Sequence, residues 1–388
     1  MRMIIVKQEV QDPMPENPSP RPVPPEPLRG PRHSLPVAVV TALDAVLRES
    51  VVASLLLDDA GTVALRYEVV EDEPALRRLV VAADGVREDR WVDLAHPCVS
   101  CAMREDAVPV LARLAEDPAV HGVLLAPPLS ADPSVVAGTL RAHEDRWHLA
   151  SAVAVASAAT ACEDLLGDAT LAERGLCWAD GDARAVGEAL AAQLEHSELI
   201  VLDGDPHCPG AELVEHLRAP EQLLLHEPFA LTTAQVLGGR HDLTAARRRR
   251  DGRHVEPYGG PTVHGTWTLD LGTDRPFHPD RLLAHIEELG GGRLRGRGRF
   301  WVPDRPDSIC QWDGAGGQVS IGAAWRTRDE LPTTRLVVTG RGAEDRERVR
   351  AAFGRCLLAE EEWARGLAPW LGADDPLAPW LGERDARV

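Results

Sequence analysis

The stretch "HPCVSCAMREDAV", His96 to Val108, gathers two thiols and an imidazole within six residues. Cys98 and Cys101 with His96 just before them suit Zn²⁺, which takes sulfur and nitrogen donors tetrahedrally. The same spacing at a helix N-terminus can lower a thiol pKa for disulfide exchange. Two cysteines can also simply pack as small hydrophobes. Residue types alone leave metal, redox and packing readings open. Read as a metal site, the stretch offers His96, Cys98 and Cys101. The fourth position is left to water, to Asp93, or to another segment such as the adjacent His207 and Cys208. A closed structural zinc site normally brings a second cysteine pair at matching spacing. Cys162, Cys177, Cys208 and Cys310 do not supply one.

Composition narrows the chemistry further. The chain has 388 residues and a formal net charge of −19, room for two domains and a balance that argues against wholesale electrostatic binding to nucleic acid or anionic membranes, and no specific DNA binding is expected. The seven cysteines are scattered and odd in number, which suits a reducing compartment. No apolar run approaches a membrane span and the first residues lack a signal-peptide pattern, so a cytoplasmic location is expected. Lys7 is the sole lysine and Asn17 the sole asparagine, both in a proline-rich head. Mechanisms that need either side chain in the folded body are therefore removed.

The elements that position the cysteine pair follow from periodicity. Residues 1–34 carry too many prolines and too little apolar surface to order themselves. From Leu35 the pattern is α/β: "LPVAVVTAL" as a buried strand, "AVLRESVVASLLL" as a helix, "LRRLVVAA" as helix running into strand, "VHGVLLAPP" and "ELIVLDGDP" as strands. Strands alternating with helices predict a parallel sheet covered on both faces over 35–237. Residues 238–260, rich in Gly, His and Arg, read as a linker whose Arg247–Arg250 cluster is solvated. Residues 261–363 read as a smaller α+β unit of about four strands and two helices, with Trp301, Trp312 and Trp325 in its core. Residues 364–388, with "APWLG" twice, read as a docking tail.

Within that second unit, "DRPFHPDRLLAHIEEL", "GRLRGRGRFWVPDRP", "QWDGAGGQVSI", "RLVVTGRG" and "CLLAEEE" follow one another. The ordered series resembles the C-terminal domain of the CobW-type GTP-dependent metallochaperones, with Arg297 where their "R-x-K-G-x-x-W" strand has lysine. The resemblance implies a P-loop-NTPase-like parallel sheet ahead of it, and there the nucleotide motifs are degenerate. A phosphate-cradling loop needs glycines, lysine and a hydroxyl. Thr41–Ser50 offers Ala42 and Leu47 at the glycine positions, Arg48 for the lysine and Glu49 for the hydroxyl. Ala126 and Leu129 replace the Glu and Gly of the acidic motif, although Ala131, Asp132 and Pro133 remain. The guanine-reading Asn-Lys-x-Asp would fall near Asp203 and lacks its Asn and Lys.

By the same resemblance the family's Gly-Cys-x-Cys-Cys metal motif falls on Pro97–Cys101, with Ser100 at the middle cysteine, followed by the matching Arg104 and Asp106. The implied function is zinc homeostasis by a pseudo-GTPase. Zinc would be bound at Cys98, Cys101 and His96, with no catalytic residues and no GTP. An open three-ligand site fits zinc that is transferred or sensed. The alternatives are a zinc-starvation adaptor recruiting a hibernation factor to ribosomes, and an active GTP-dependent metallochaperone. The partners implied are a ribosome or hibernation factor, or a metal-client protein. Arg247–Arg250 and Arg293–Arg299 would serve ribosome contact; His241, His254 and His264 read as ordinary loop histidines.

Overall fold

The computed structural model describes residues 5–7, 34–70, 76–94, 96, 98–144, 146–178, 181–257, 259–326, 332–370 and 372–383, side chains at 5–7 and 324–326 excepted. After β1 (Ile5–Lys7) come β2 (Leu35–Ala42), α1 (Ala45–Asp58), β3 (Thr62–Val69), β4 (Leu76–Ala82) and β5 (Gly85–Val92). Then α2 (Val99–Ala102) passes through a π-turn at Met103–Ala107 into α3 (Val108–Leu114). The unit continues with β6 (Gly122–Ala126), α4 (Pro133–Arg141), β7 (Trp147–Ser157), α5 (Ala161–Leu166), α6 (Val186–His196), β8 (Leu199–Asp203), α7 (Pro209–Leu217) and β9 (Leu223–Leu225).

These strands form an eight-stranded sheet in the order β5-β4-β3-β6-β2-β7-β8-β9. The strands from β3 to β9 are parallel, while β4 and β5 form an antiparallel extension. Period-two alternation sorts β2 between two cores. Val37 and Val39 pack with residues of α3 and α4, whereas Ala38, Val40 and Ala42 pack with Val51 and Leu55 of α1 and Val236. Burial on both faces explains why the parallel strands read as continuous apolar runs. "LRRLVVAA", expected as helix running into strand, is strand β4: its pairing with β3 fixes it, and Leu76, Val80 and Ala82 face the core at strand spacing.

Two further helices, α8 (Thr233–Leu237) and α9 (Leu243–Arg250), lead to the second unit. It comprises β10 (Thr266–Thr273), α10 (Pro279–Gly290), β11 (Leu294–Phe300), β12 (Ser308–Ala315), β13 (Gln318–Arg326), β14 (Thr334–Arg341), α11 (Ala343–Cys356), α12 (Glu360–Trp363) and α13 (Ala378–Leu381). Its sheet runs β1-β13-β12-β11-β14-β10, antiparallel except for β1 beside β13. The unit thus has one more strand of its own than its sequence suggests, β12. Three residues of the proline-rich head also depart from the expected lack of order, because an open sheet edge supplies Ile5–Lys7 with backbone partners at Val319–Ile321. The rest of that head, Ser34 apart, lies outside the described residues. Trp312 is buried against Phe300, and Trp301 is buried against Trp363 just past the end of β11. The Trp325 side chain lies outside the described residues. The tail docks on its own chain: Leu377 and Leu381 enter the core, and Arg305 pairs with Asp375.

The 238–260 segment is more ordered than its composition suggests. Asp242 N-caps α9, accepting from Thr244 N and Ala245 N. Arg249 is buried and donates to the carbonyls of Glu195 and His196 at the end of α6. Arg250 pairs with Asp132 at 2.8 and 3.0 Å. The second basic stripe also turns inward: Arg295 makes a two-pronged contact with Glu195, and Arg299 reaches the carbonyl of Arg253. Of the Arg247–Arg250 cluster only Arg247 and Arg248 are exposed. His241 is buried as well, 2.6 Å from Glu198 and stacked at a tilt near His196. His254 pairs with Asp251 at 3.3 Å, and the His264 ring meets the His207 carbonyl at 2.6 Å.

Candidate metal centre

The site begins where β5 ends. Past it lies α2, whose N-cap is Cys98: its sulfur accepts from the Cys101 backbone N–H at 3.3 Å. A cysteine at this position places its sulfur against free helix donors. One ligand atom each from His96, Cys98 and Cys101 lies within 4.8 Å of the others, His96 exposed and both cysteines half-buried. A tetrahedral zinc with bonds of about 2.3 Å to sulfur sets its donors roughly 3.8 Å apart. Small side-chain adjustments would therefore close the three around such an ion. Asp93 is exposed and not part of the cluster. His207 and Cys208 lie elsewhere, with Cys208 at the N-cap of α7 and its thiol on the Ala158 carbonyl.

The two thiols differ electrostatically. Burial pushes Cys98 up, but the Cys101 N–H and the His96 imidazole outweigh it and leave the thiol below its ordinary range. The adjacent Cys98 pushes Cys101 up, against the pull of Arg104, whose guanidinium lies 3.5 Å from the Cys101 sulfur. Behind the cluster, the π-turn turns Met103 and Ala107 into the core and Asp106 toward the sheet. There Asp106 accepts from Tyr67 at 2.7 Å and Arg78 at 2.6 Å. An inserted helical residue of this kind is often found at functional sites. The sequence showed Asp106 but not its partners, which come from β3 and β4.

The degenerate phosphate loop sits on the other face. Only Leu43 and Asp44 join β2 to α1, and Asp44 caps the helix by accepting from Leu47 N at 2.9 Å. A carboxylate thus holds the place where backbone donors would meet a phosphate. Arg48, 2% exposed, turns inward to the Pro127 carbonyl at 2.6 Å and to Glu49 at 2.9 Å. Burial lowers its pKa against the charge of Glu49. Arg66 links Glu49 to Glu68. A cavity of about 260 Å³ remains beside them, its Arg48, Glu49, Arg66 and Glu68 already paired with one another. Asp132 caps α4 through Ser134 N. Burial would raise its pKa, but the charge and hydrogen bonds of Arg250 hold it at about 2.

Fold and cluster define a two-unit α/β protein, a parallel sheet bearing a Cys/His triad followed by a smaller antiparallel α+β unit. The sequence model of the cobalamin synthesis protein cobW C-terminal domain matches residues 267–357. Over those residues the chain is similar to a CobW C-terminal domain. It is 28% identical over 289 residues to a zinc chaperone of Mycobacterium tuberculosis, covering 70% of each chain. It is 24% identical over 254 residues to the zinc-regulated GTPase metalloprotein activator 1 of Dictyostelium discoideum, covering 59% of this chain and 53% of that one. Among solved structures, the Zn(II)-bound YjiA GTPase of E. coli aligns over 84% of this chain and 99% of its own, at 17% identity and a TM-score of 0.34.

Proposed function

We propose that this chain is a zinc-homeostasis protein that binds Zn²⁺ through His96, Cys98 and Cys101 and does not turn over GTP. One observation carries the reading: two thiols and an imidazole, drawn from a helix start and the connection before it, approach one another within 4.8 Å. Soft sulfur and borderline nitrogen donors in this number favour zinc over hard cations and leave a coordination position open. An open position suits metal that is handed on or sensed. The names of the zinc chaperone and zinc-regulated relatives support this reading. Loss of GTP turnover is supported by Asp44 capping α1, Arg48 bonded inward and Glu49 at the hydroxyl position. Metal content of the purified protein against Cys98→Ser and Cys101→Ser tests the site, and unchanged zinc in both variants overturns it. Tight binding of a fluorescent GTP analogue would overturn the pseudo-GTPase half.

A second reading, an adaptor that signals zinc scarcity to ribosomes through a hibernation factor, has Arg247 and Arg248 in its favour, both exposed. Ribosome co-sedimentation from zinc-depleted extracts, lost on charge reversal at these two positions, would support it. No co-sedimentation by the unaltered chain would dismiss it.

A further inference from the structure

The seam between the two sheets holds a feature that the cysteine cluster does not explain. A cavity of about 270 Å³ opens between the end of α6, the turn after α7, α9 and β11. Arg249 and Arg297 form part of its wall, 8% and 9% exposed, and Arg248 stands exposed at its mouth. The carboxylates facing Arg249 and Arg297 are shared or stand at long range. Glu195 gives both oxygens to Arg295 at 2.9 and 3.0 Å and is shared with Arg297 at 3.2 Å. Arg297 has the Arg249 carbonyl as its other contact, and burial, with Arg295 close by, lowers its pKa. The carboxylates of Glu198 and Glu221 stand 3.8 and 3.6 Å from Arg249, whose hydrogen bonds go to carbonyls instead. Arg248 has no ion pair or side-chain hydrogen bond among the described residues, while Glu221 and Glu256 at the rim are exposed to water.

We propose that this cavity binds a small phosphate-bearing anion, either inorganic phosphate or the phosphoryl end of a small organic phosphate. Guanidinium forks match phosphate oxygens in pairs, and buried arginines whose carboxylate partners are shared or stand beyond hydrogen-bond distance gain most from such a partner. The volume falls just below the roughly 300–1,000 Å³ of drug-sized sites, which favours a small ligand over a nucleotide. A bound anion would bridge α9 to β11 and so join the two units across their seam. The site is independent of zinc.

Calorimetric titration of the full chain with inorganic phosphate and with glycerol 3-phosphate, at ionic strength matched with KCl, tests the proposal. Saturable binding is expected, weakened by about tenfold or more in Arg248→Ala, a change that breaks no ion pair or side-chain hydrogen bond among the described residues. Arg297→Lys should weaken it too, because an ammonium cannot supply the fork. Tighter glycerol 3-phosphate would identify an organic phosphate, and tighter inorganic phosphate the free ion; either supports the site. Absence of saturable heat up to about 10 mM phosphate, or wild-type affinity in Arg248→Ala, would overturn it. Zinc content should be the same in all these variants.

Discussion

The Tyr67 hydroxyl donates to one oxygen of Asp106 at 2.7 Å while Arg78 holds the other at 2.6 Å, so two adjacent strands grip the helix that begins at Cys98. Tyr67 is 1% exposed, and burial, with Asp106 alongside, raises its pKa well above the ordinary phenol range. The hydroxyl therefore stays protonated and donating. Tyr67→Phe should cost about 1 kcal/mol of stability, the usual net value of a buried hydrogen bond. Zinc affinity should drop with it, because the helix start that carries both thiols loses an anchor. Urea denaturation and competition with a chromophoric chelator measure the two effects separately. Unchanged affinity in a folded variant would show that Asp106 does not position the cluster.

Arg250 and Asp132 make the acid limb of the stability curve predictable. Asp132 has a folded pKa of about 2 against an ordinary 3.8. Its contribution is thus present above the ordinary value and is lost as pH falls toward 2. The shift corresponds to roughly 2 kcal/mol. Asp132→Asn should be less stable than the unaltered chain at pH 7, and the gap should narrow as pH is lowered below 4. Denaturation curves at stepped pH check this, and a gap that widens on acidification would contradict the assignment.

How much of this was legible beforehand depends on where the partners lie. "LPVAVV" and "ELIVLD" announced themselves because strands buried on both faces are apolar throughout. "GVREDRWV", strand β5, gave no such signal, being exposed along nearly its whole length at the sheet edge. The arginines of α9 and β11 looked like solvated stripes because charge counts carry no information about Glu195, Asp132 or helix-end carbonyls far away in sequence. The proximity of the cysteine pair and His96 was readable because all three residues are close in sequence. Their support from Tyr67 and Arg78 was not.

Gly298 illustrates a glycine whose reason is packing. A Cβ there would collide with the Arg335 carbonyl and come within 2.9 Å of Leu336 Cα on β14. Backbone cannot yield as a flexible side chain can, and β11 sits between β12 and β14. Gly298→Ala should lose about 2 kcal/mol or more, or fail to accumulate as soluble protein. Thermal unfolding of the variant beside Gly354→Ala, where an added Cβ meets nothing, gives the comparison.

Restoring consensus residues at the degenerate loop should not restore nucleotide binding. Arg48→Lys with Glu49→Ser supplies the lysine and hydroxyl. The two-residue connection and the Asp44 cap remain, and both deny a phosphate the helix donors. The expected outcome is no binding of a fluorescent GTP analogue and a less stable protein, since Arg48 gives up its Pro127 contact and Glu49 its link to Arg66. Measurable binding would locate the defect in those two side chains alone.

Ser100 offers the sharpest test of the metal centre. It lies within α2 between the two cluster cysteines, at the place where the resemblance puts a third thiolate. In the present cluster the third candidate donor is the imidazole of His96, which is exposed to solvent. Ser100→Cys should tighten zinc by about tenfold or more and weaken the dependence on His96, because a thiolate is the softer and more local ligand. Chelator competition on the single variant and on His96→Ala with Ser100→Cys measures both effects. Unchanged affinity would mean that the side chain at position 100 points away from the triad, and the open site would then be fixed by backbone geometry, not by the missing thiol.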